Sequence, residues 1–340
     1  MDAPRFALCL LPEHIEQCGP LARRAEKAGF DMLGFVDSQN IARDVYVSLA
    51  VAALNTSTIR LGPTVTNPLT RHIVVTANAI ASIDELSGGR AFIGFGSADS
   101  AAFTLSMRPA RLAVMEQGVS DLQTITAGGV VERDGQRLWV KGARRKVPVY
   151  LAADGPRTRQ LAGRIADGAL LGSGITPDEI SRCLDDLAVG ARAAGRRLDD
   201  LDVWWLVKAN VADVRVRAVE EIKMALAASA NRAFRVVADG VPPHLADAIA
   251  GLQRRYDPHR HESLAADGNG RLLDRPELTD YLAARFAFAG TPDDCAAQVR
   301  GAVAAGATQF LLTGITPDPR RFVERWATEV MPRCTAVTRR

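Results

Sequence analysis

With 340 residues, 47% of them hydrophobic and 6% aromatic, the chain carries enough apolar material for a large core, which excludes a disordered protein. Forty-two Lys plus Arg against 39 Asp plus Glu is a near balance, so no sequence-wide basic field points to nucleic acid. No apolar stretch nears the ~20 residues of a spanning helix, and MDAPRFALCLLPEH lacks a positive leader and a small-residue cleavage site, so no membrane and a cytoplasmic location are expected.

Short β-like runs then alternate with longer helical patterns. RFALCLL (5–11) precedes IEQCGPLARRAEKAG, where Leu21, Ala25 and Ala28 mark one helical face and Gly29 marks its stop. FDMLGFV, helical RDVYVSLAVAALNT, TIRLG, helical HIVVTANAIASIDELSGG and AFIGFG follow. Beyond these come VPVYLAA, helical RTRQLAGRIADG, ALLGSG, helical PDEISRCLDDLAVGARAAG, DVWWLVKANV, a helix over about 213–232, TQFLLTG and helical PRRFVERWATEVMP. That makes eight strands in alternation with helices. Apolar strands without clean alternation suit a parallel sheet buried on both faces, so the expected fold is α/β, a (β/α)8 TIM barrel forming one domain over 1–340. Two segments break the rhythm. Residues 128–147 read as a β-hairpin with an Asp-Gly turn, and 234–290 as a helical, lid-like insertion between strands 7 and 8.

Five cysteines, at 9, 18, 183, 295 and 334, form no CxxC or Cys/His ligand spacing, so reduced thiols and no metal are expected. His259 and His261 beside Asp257 and Glu262 read as a solvated loop, since two histidines one residue apart on a loop lack the i, i+4 helical spacing that would fix their geometry.

In such a barrel the site lies at the carboxyl ends of the strands. Those ends hold Cys9 to Glu13, Asp37 to Asn40, Thr64 to Asn67, Gly96 to Ser100, Ala152 to Gly155, Gly172 to Gly174, Lys208 to Asn210 and Gly314 to Thr316. The set is small, polar and glycine-rich, without a carboxylate pair or Ser-His-Asp order, which points to chemistry carried by a cofactor. LAADGPRTRQLAG puts Gly155, Pro156, Arg157 and Thr158 at a helix start, where free amides and the helix dipole favour a phosphate. LLGSGITPDE repeats the device one unit later with Gly172, Ser173 and Gly174.

GPTVTNPLTRH, SIDELSGGRAFIGFGSADS, VPVYLAADGPRTRQLAGRIADGALLGSGITP and GTPDDCAAQVRGAVAAGATQFLLTGITP together resemble the bacterial luciferase-like oxidoreductases, and within them the methylenetetrahydromethanopterin reductase group. The resemblance is weakest over 234–275. It implies a (β/α)8 barrel that binds coenzyme F420 or FMN, and a non-prolyl cis peptide joining Thr64 to Val65 at the end of strand 3. On this basis the cofactor-binding set is Thr64, Val65, Asn67, Gly96, Ser97, Ala153, Gly155, Pro156, Arg157, Thr158, Gly172, Ser173 and Gly174. The candidate catalytic residues are Asp37, Asn67 and His72, and Thr70 is expected to face the mouth with Asn67. Two positions depart from the pattern: Cys9 stands where the reductases place a glutamate, and Ser38 where the sugar-phosphate and alcohol dehydrogenases place a histidine.

The implied activity is F420-dependent hydride transfer to or from a small organic substrate. The alternatives are an FMN-dependent monooxygenase using reduced flavin and O2, and a non-catalytic flavin-binding homologue. The implied partners are a second copy of the chain, packed through the apolar second and third helices, and a flavin or F420 reductase supplying reduced cofactor. Arg235, His244, Arg254, Arg255, His259, Arg260, His261 and Arg271 crowd the insertion and are expected to face the pocket and attract an acidic substrate or cofactor tail.

Overall fold

A computed structural model describes residues 3–235 and 240–335; residues 236–239 of the expected insertion lie outside the described residues. Its strands, in chain order, are β1 (Arg5–Leu10), β2 (Met32–Phe35), β3 (Arg60–Pro63), β4 (Ile93–Phe95), β5 (Val131–Arg133), β6 (Gln136–Leu138), β7 (Val149–Ala152), β8 (Gly168–Leu171), β9 (Asp202–Val211), β10 (Ala287–Gly290) and β11 (Gln309–Thr313). The main sheet runs β3-β2-β1-β11-β9-β8-β7-β4, with β10 added on β9. Isolated parallel bridges at Leu61–Ala91 and Thr66–Phe95 tie the β3 segment to β4. Parallel strands in this order with intervening helices make a (β/α)8 barrel. β2 and β8 are buried at every position, as strands covered on both faces must be.

Packing divides the chain into two compact units, one of Ala7–Leu170 with Cys183–Trp204, the other of Met1–Phe6, Leu171–Arg182 and Trp205–Arg340. The first buries Leu8, Met32, Leu33, Phe35, Phe92 and Phe95. The second is centred on rings: Phe288 meets Phe310 edge-on at 5.1 Å and stacks on Trp326 at 6.3 Å. Helix ends follow their local chemistry. The Asp44 carboxylate accepts the Tyr46 and Val47 amides at the start of Val45–Ala53, Gly29 turns at φ 82° after Cys18–Lys27, and Thr291 and Asp294 form a capping box on Pro292–Ala304.

Two expectations change. The eight-strand count misses β10, which pairs in parallel with β9, Ala287 opposite Lys208. The helix expected over 213–232 is two, Arg215–Glu220 and Lys223–Ala233, broken where Ile222 leaves helical geometry at φ −117°, ψ 12°. Of the basic residues of the insertion, Arg235, His244, Arg254, Arg255, His259 and Arg271 are exposed. Arg260 pairs with Asp257 and Asp267, and His244 with Glu277 at 3.1 Å. Long charged side chains keep their hydration by reaching outward. β5 and β6 pair antiparallel around Asp134-Gly135, both at positive φ. Among the described residues no helix is long and apolar enough to cross a membrane.

Candidate cofactor site

The first unit holds most of the expected residues, several of them around the exit from β3. The Thr64–Val65 peptide is cis. Beyond it the chain is laced to β4, the Thr66 amide donating to Gly94 O and the Gly96 amide to Thr66 O, both at 2.9 Å. Val65 lies over Gly94 and Gly96; a Cβ on either glycine would fall 2.9 Å from a Val65 methyl, so the close approach requires glycine at both places. Beneath, Cys9 and Thr64 are bonded twice, the Thr64 hydroxyl donating to Sγ at 3.1 Å and the thiol to Thr64 O at 3.6 Å. Cys9 therefore braces the strand end.

Asp37 is buried, and its Oδ2 accepts from the Thr66 hydroxyl at 2.7 Å and from Arg71 Nη1 at 2.6 Å. Arg71 also reaches Asp44 at 3.0 Å and lies 5.1 Å from the Tyr46 ring centre. Burial, then the Asp37 charge, pushes the Tyr46 phenol well above its usual value. Asp37 thus ties Thr66 and Arg71 together on either side of Asn67. Asn67 is itself buried, its Oδ1 accepting from the Leu69 and Thr70 amides and the Thr70 hydroxyl. His72 is exposed and caps helix Ile73–Leu86, Nδ1 accepting the Val74 amide at 3.4 Å. Arg71, absent from the expected site, is the residue that sequence reasoning missed; its only signal was its place directly after the β3 loop.

Two further strand ends lie in the same unit. After Gly96 and Ser97, Ala98 adopts φ 66°, a left-handed conformation unusual for alanine and often found where a loop serves a ligand. At the end of β7, Ala153 is buried and Gly155 opens helix Pro156–Ile165 with no side-chain cap. Arg157 and Thr158 stand in its first turn. Arg157 is exposed and has no hydrogen bond or ion pair among the described residues. By contrast Arg159 is buried, bonded to Asp186 at 2.7 Å and to the Asp154 carbonyl. A bare helix start with one free guanidinium is a fit receptor for a phosphate.

Gly172, Ser173 and Gly174 belong to the second unit. Arg232 donates to Gly172 O at 3.0 Å and Arg285 to Ser173 O at 3.2 Å. Gly174, at φ 137°, presses so close to Arg285 that a Cβ would meet its Cγ at 2.9 Å. Arg285 is held in turn by Glu179 at 2.8 Å. The five cysteines are buried and form no disulfide, and burial raises the Cys18 thiol and lifts those of Cys295 to about 12 and Cys334 to about 11, which makes these three unreactive. Among the described residues no three His, Cys, Asp or Glu gather as a metal would need.

The luciferase-like monooxygenase family model matches residues 6–309, and the chain belongs to that family. It is 30% identical to a 5,10-methylenetetrahydromethanopterin reductase of Methanolobus tindarius, over 91% of this chain and 94% of the relative. It is 28% identical to an F420-dependent glucose-6-phosphate dehydrogenase of Beutenbergia cavernae, over 92% and 91%. Its fold superposes on the coenzyme F420-dependent tetrahydromethanopterin reductase of Methanopyrus kandleri with a TM-score of 0.76 and 27% identity, covering 97% of this chain and 99% of that one.

Proposed function

We propose that the chain is an F420-dependent oxidoreductase acting on a small organic substrate. The observation that carries this is the uncapped helix start at Gly155 with the free guanidinium of Arg157, a receptor for the cofactor phosphate. F420 is favoured over FMN by relatives whose names specify it, similar along more than nine-tenths of the chain. Thr64, Val65 and Asn67 after β3, with Gly96 and Ser97 after β4, back the ring. When bound, the deazaflavin supplies two-electron chemistry that the side chains described above do not. Asp37 positions the Thr66–Arg71 segment, Asn67 shapes its turn, and His72 orients the helix that follows.

The chain acts as one catalytic domain, the 128–147 hairpin and the 234–286 segment being additions to the barrel. It works in the cytoplasm as a homodimer, and a separate F420 or flavin reductase renews its reduced cofactor. Val47, Leu54, Val75 and Leu86, on or at the ends of helices Val45–Ala53 and Ile73–Leu86, are 44% to 71% exposed, supporting an interface there. Titration with F420 and with FMN, each followed by ligand fluorescence, tests the function. Low-micromolar F420 binding is expected; tight binding of FMN alone would make the protein a flavin monooxygenase, and binding of neither would leave it a non-catalytic homologue.

A further inference from the structure

In the second unit Lys208, near the carboxyl end of β9, is bonded to Glu262 of the 256–272 segment. Nζ and Oε1 are 2.6 Å apart and the side chains are 5% and 8% exposed. Two charges taken out of water regain little by pairing, so such a pair is a poor stabilising device and calls for another account. Glu262 is also presented from a backbone at φ 53°, unfavourable for a residue with a long side chain. Burial would raise its pKa, but the charges of Lys208, then His261 and Arg232, hold it low, and the carboxyl stays ionised.

Alternation along β9 sets Lys208 on the same side as Leu206, and the register puts Leu311 beside Leu206 and Thr313 beside Lys208. On that side Leu206 is partly exposed, while Trp204, Lys208, Leu311 and Thr313 are buried. The Thr313 hydroxyl is buried with no hydrogen-bond partner, a polar group left for a ligand. The neighbouring cations are already engaged, Arg285 by Glu179 and Arg232 by the Gly172 carbonyl.

From this arrangement we propose that Glu262 determines substrate specificity. By occupying Lys208 it turns the wall at the end of β9 from a receptor for an anion into one for an uncharged carbonyl or hydroxyl compound, which the Thr313 hydroxyl can bond. The inference rests on the oxidoreductase assignment, in which this wall faces the substrate.

The test uses inorganic phosphate as the anion. Thermal unfolding of the wild type, of Glu262→Ala and of the double variant Lys208→Met/Glu262→Leu is followed over a phosphate series against chloride at equal ionic strength, and apparent affinity is read from the concentration dependence of Tm. The double variant removes both charges at similar volume, a replacement buried pairs tolerate. Expected are equal phosphate responses in the wild type and the double variant, and at least about a tenfold gain in affinity in Glu262→Ala, where the vacated carboxylate position exposes Lys208. A wild-type response that the double variant loses would overturn the proposal, as would a folded Glu262→Ala with no gain. If Glu262→Ala does not fold, the first comparison still decides. Titrating the same wild-type sample with F420 and FMN separates the two ideas: absence of cofactor binding defeats the oxidoreductase assignment and leaves the phosphate result to stand by itself.

Discussion

Arg157 and Arg159 sit two residues apart on one helix, and their surroundings give them different work. Arg159 is consumed by Asp186 and the Asp154 carbonyl, while Arg157 is free among the described residues. Arg157→Ala is expected to weaken cofactor binding by about 1–3 kcal/mol, the scale of a charged hydrogen bond, with Tm little changed; fluorescence titration beside a melting curve checks both halves. Glu26 illustrates the opposite case, a carboxylate spent wholly on the fold. Burial would raise its pKa, but bonds from the Thr58, Ile59 and Ser57 amides and the Thr58 hydroxyl take it from the usual 4.5 down to about 2. A depressed folded pKa contributes stability that is complete above 4.5 and is lost as pH falls toward about 2. Urea unfolding between pH 6 and 3 should show a decline that Glu26→Gln flattens. Arg157 could be read from its helix-start motif. The Glu26 contact, reaching across 31 to 33 positions to three consecutive amides, could not.

At the scale of elements, the helix that presents Arg157 is fixed by glycines. Gly163 on Pro156–Ile165 and Gly190 on Pro177–Ala193 let the two backbones touch: a Cβ at Gly163 would lie 2.2 Å from Leu187 O, and one at Gly190 1.9 Å from Gln160 O. Gly190→Val should therefore force the helices apart, costing about 1–3 kcal/mol as overpacking does, and should also loosen cofactor binding by moving the Gly155 helix start. Denaturant melts and cofactor titration on the same variant test both effects. Strand positions were largely legible because β1, β2, β7, β8 and β9 are apolar runs set off by polar or glycine-rich ends. β10 was not. Helix Pro276–Phe286 runs into Ala287–Gly290 without an intervening residue, so no glycine or proline marks the change, and FAFAG reads as more helix. Pairing to Lys208–Val211 makes it a strand.

For the whole molecule, the exposed Val47, Leu54, Val75 and Leu86 lead to a homodimer as the expected species in light scattering at micromolar concentration; Leu54→Glu with Val75→Glu should give a monomer that keeps its far-ultraviolet dichroism. The sequence by itself determined the class of this protein. Its alternation of buried strands and helices led to a (β/α)8 barrel and its motifs to a resemblance to the luciferase-like family, which in turn implied the cis Thr64–Val65 peptide, because such signals are local or ride on contiguous motifs. Only the tertiary structure decided which polar residues are available for a ligand. Asp37 with Arg71, and Lys208 with Glu262, are partners 34 and 54 residues apart, and whether a charge is free or neutralised depends on what folding sets beside it, which no local pattern records.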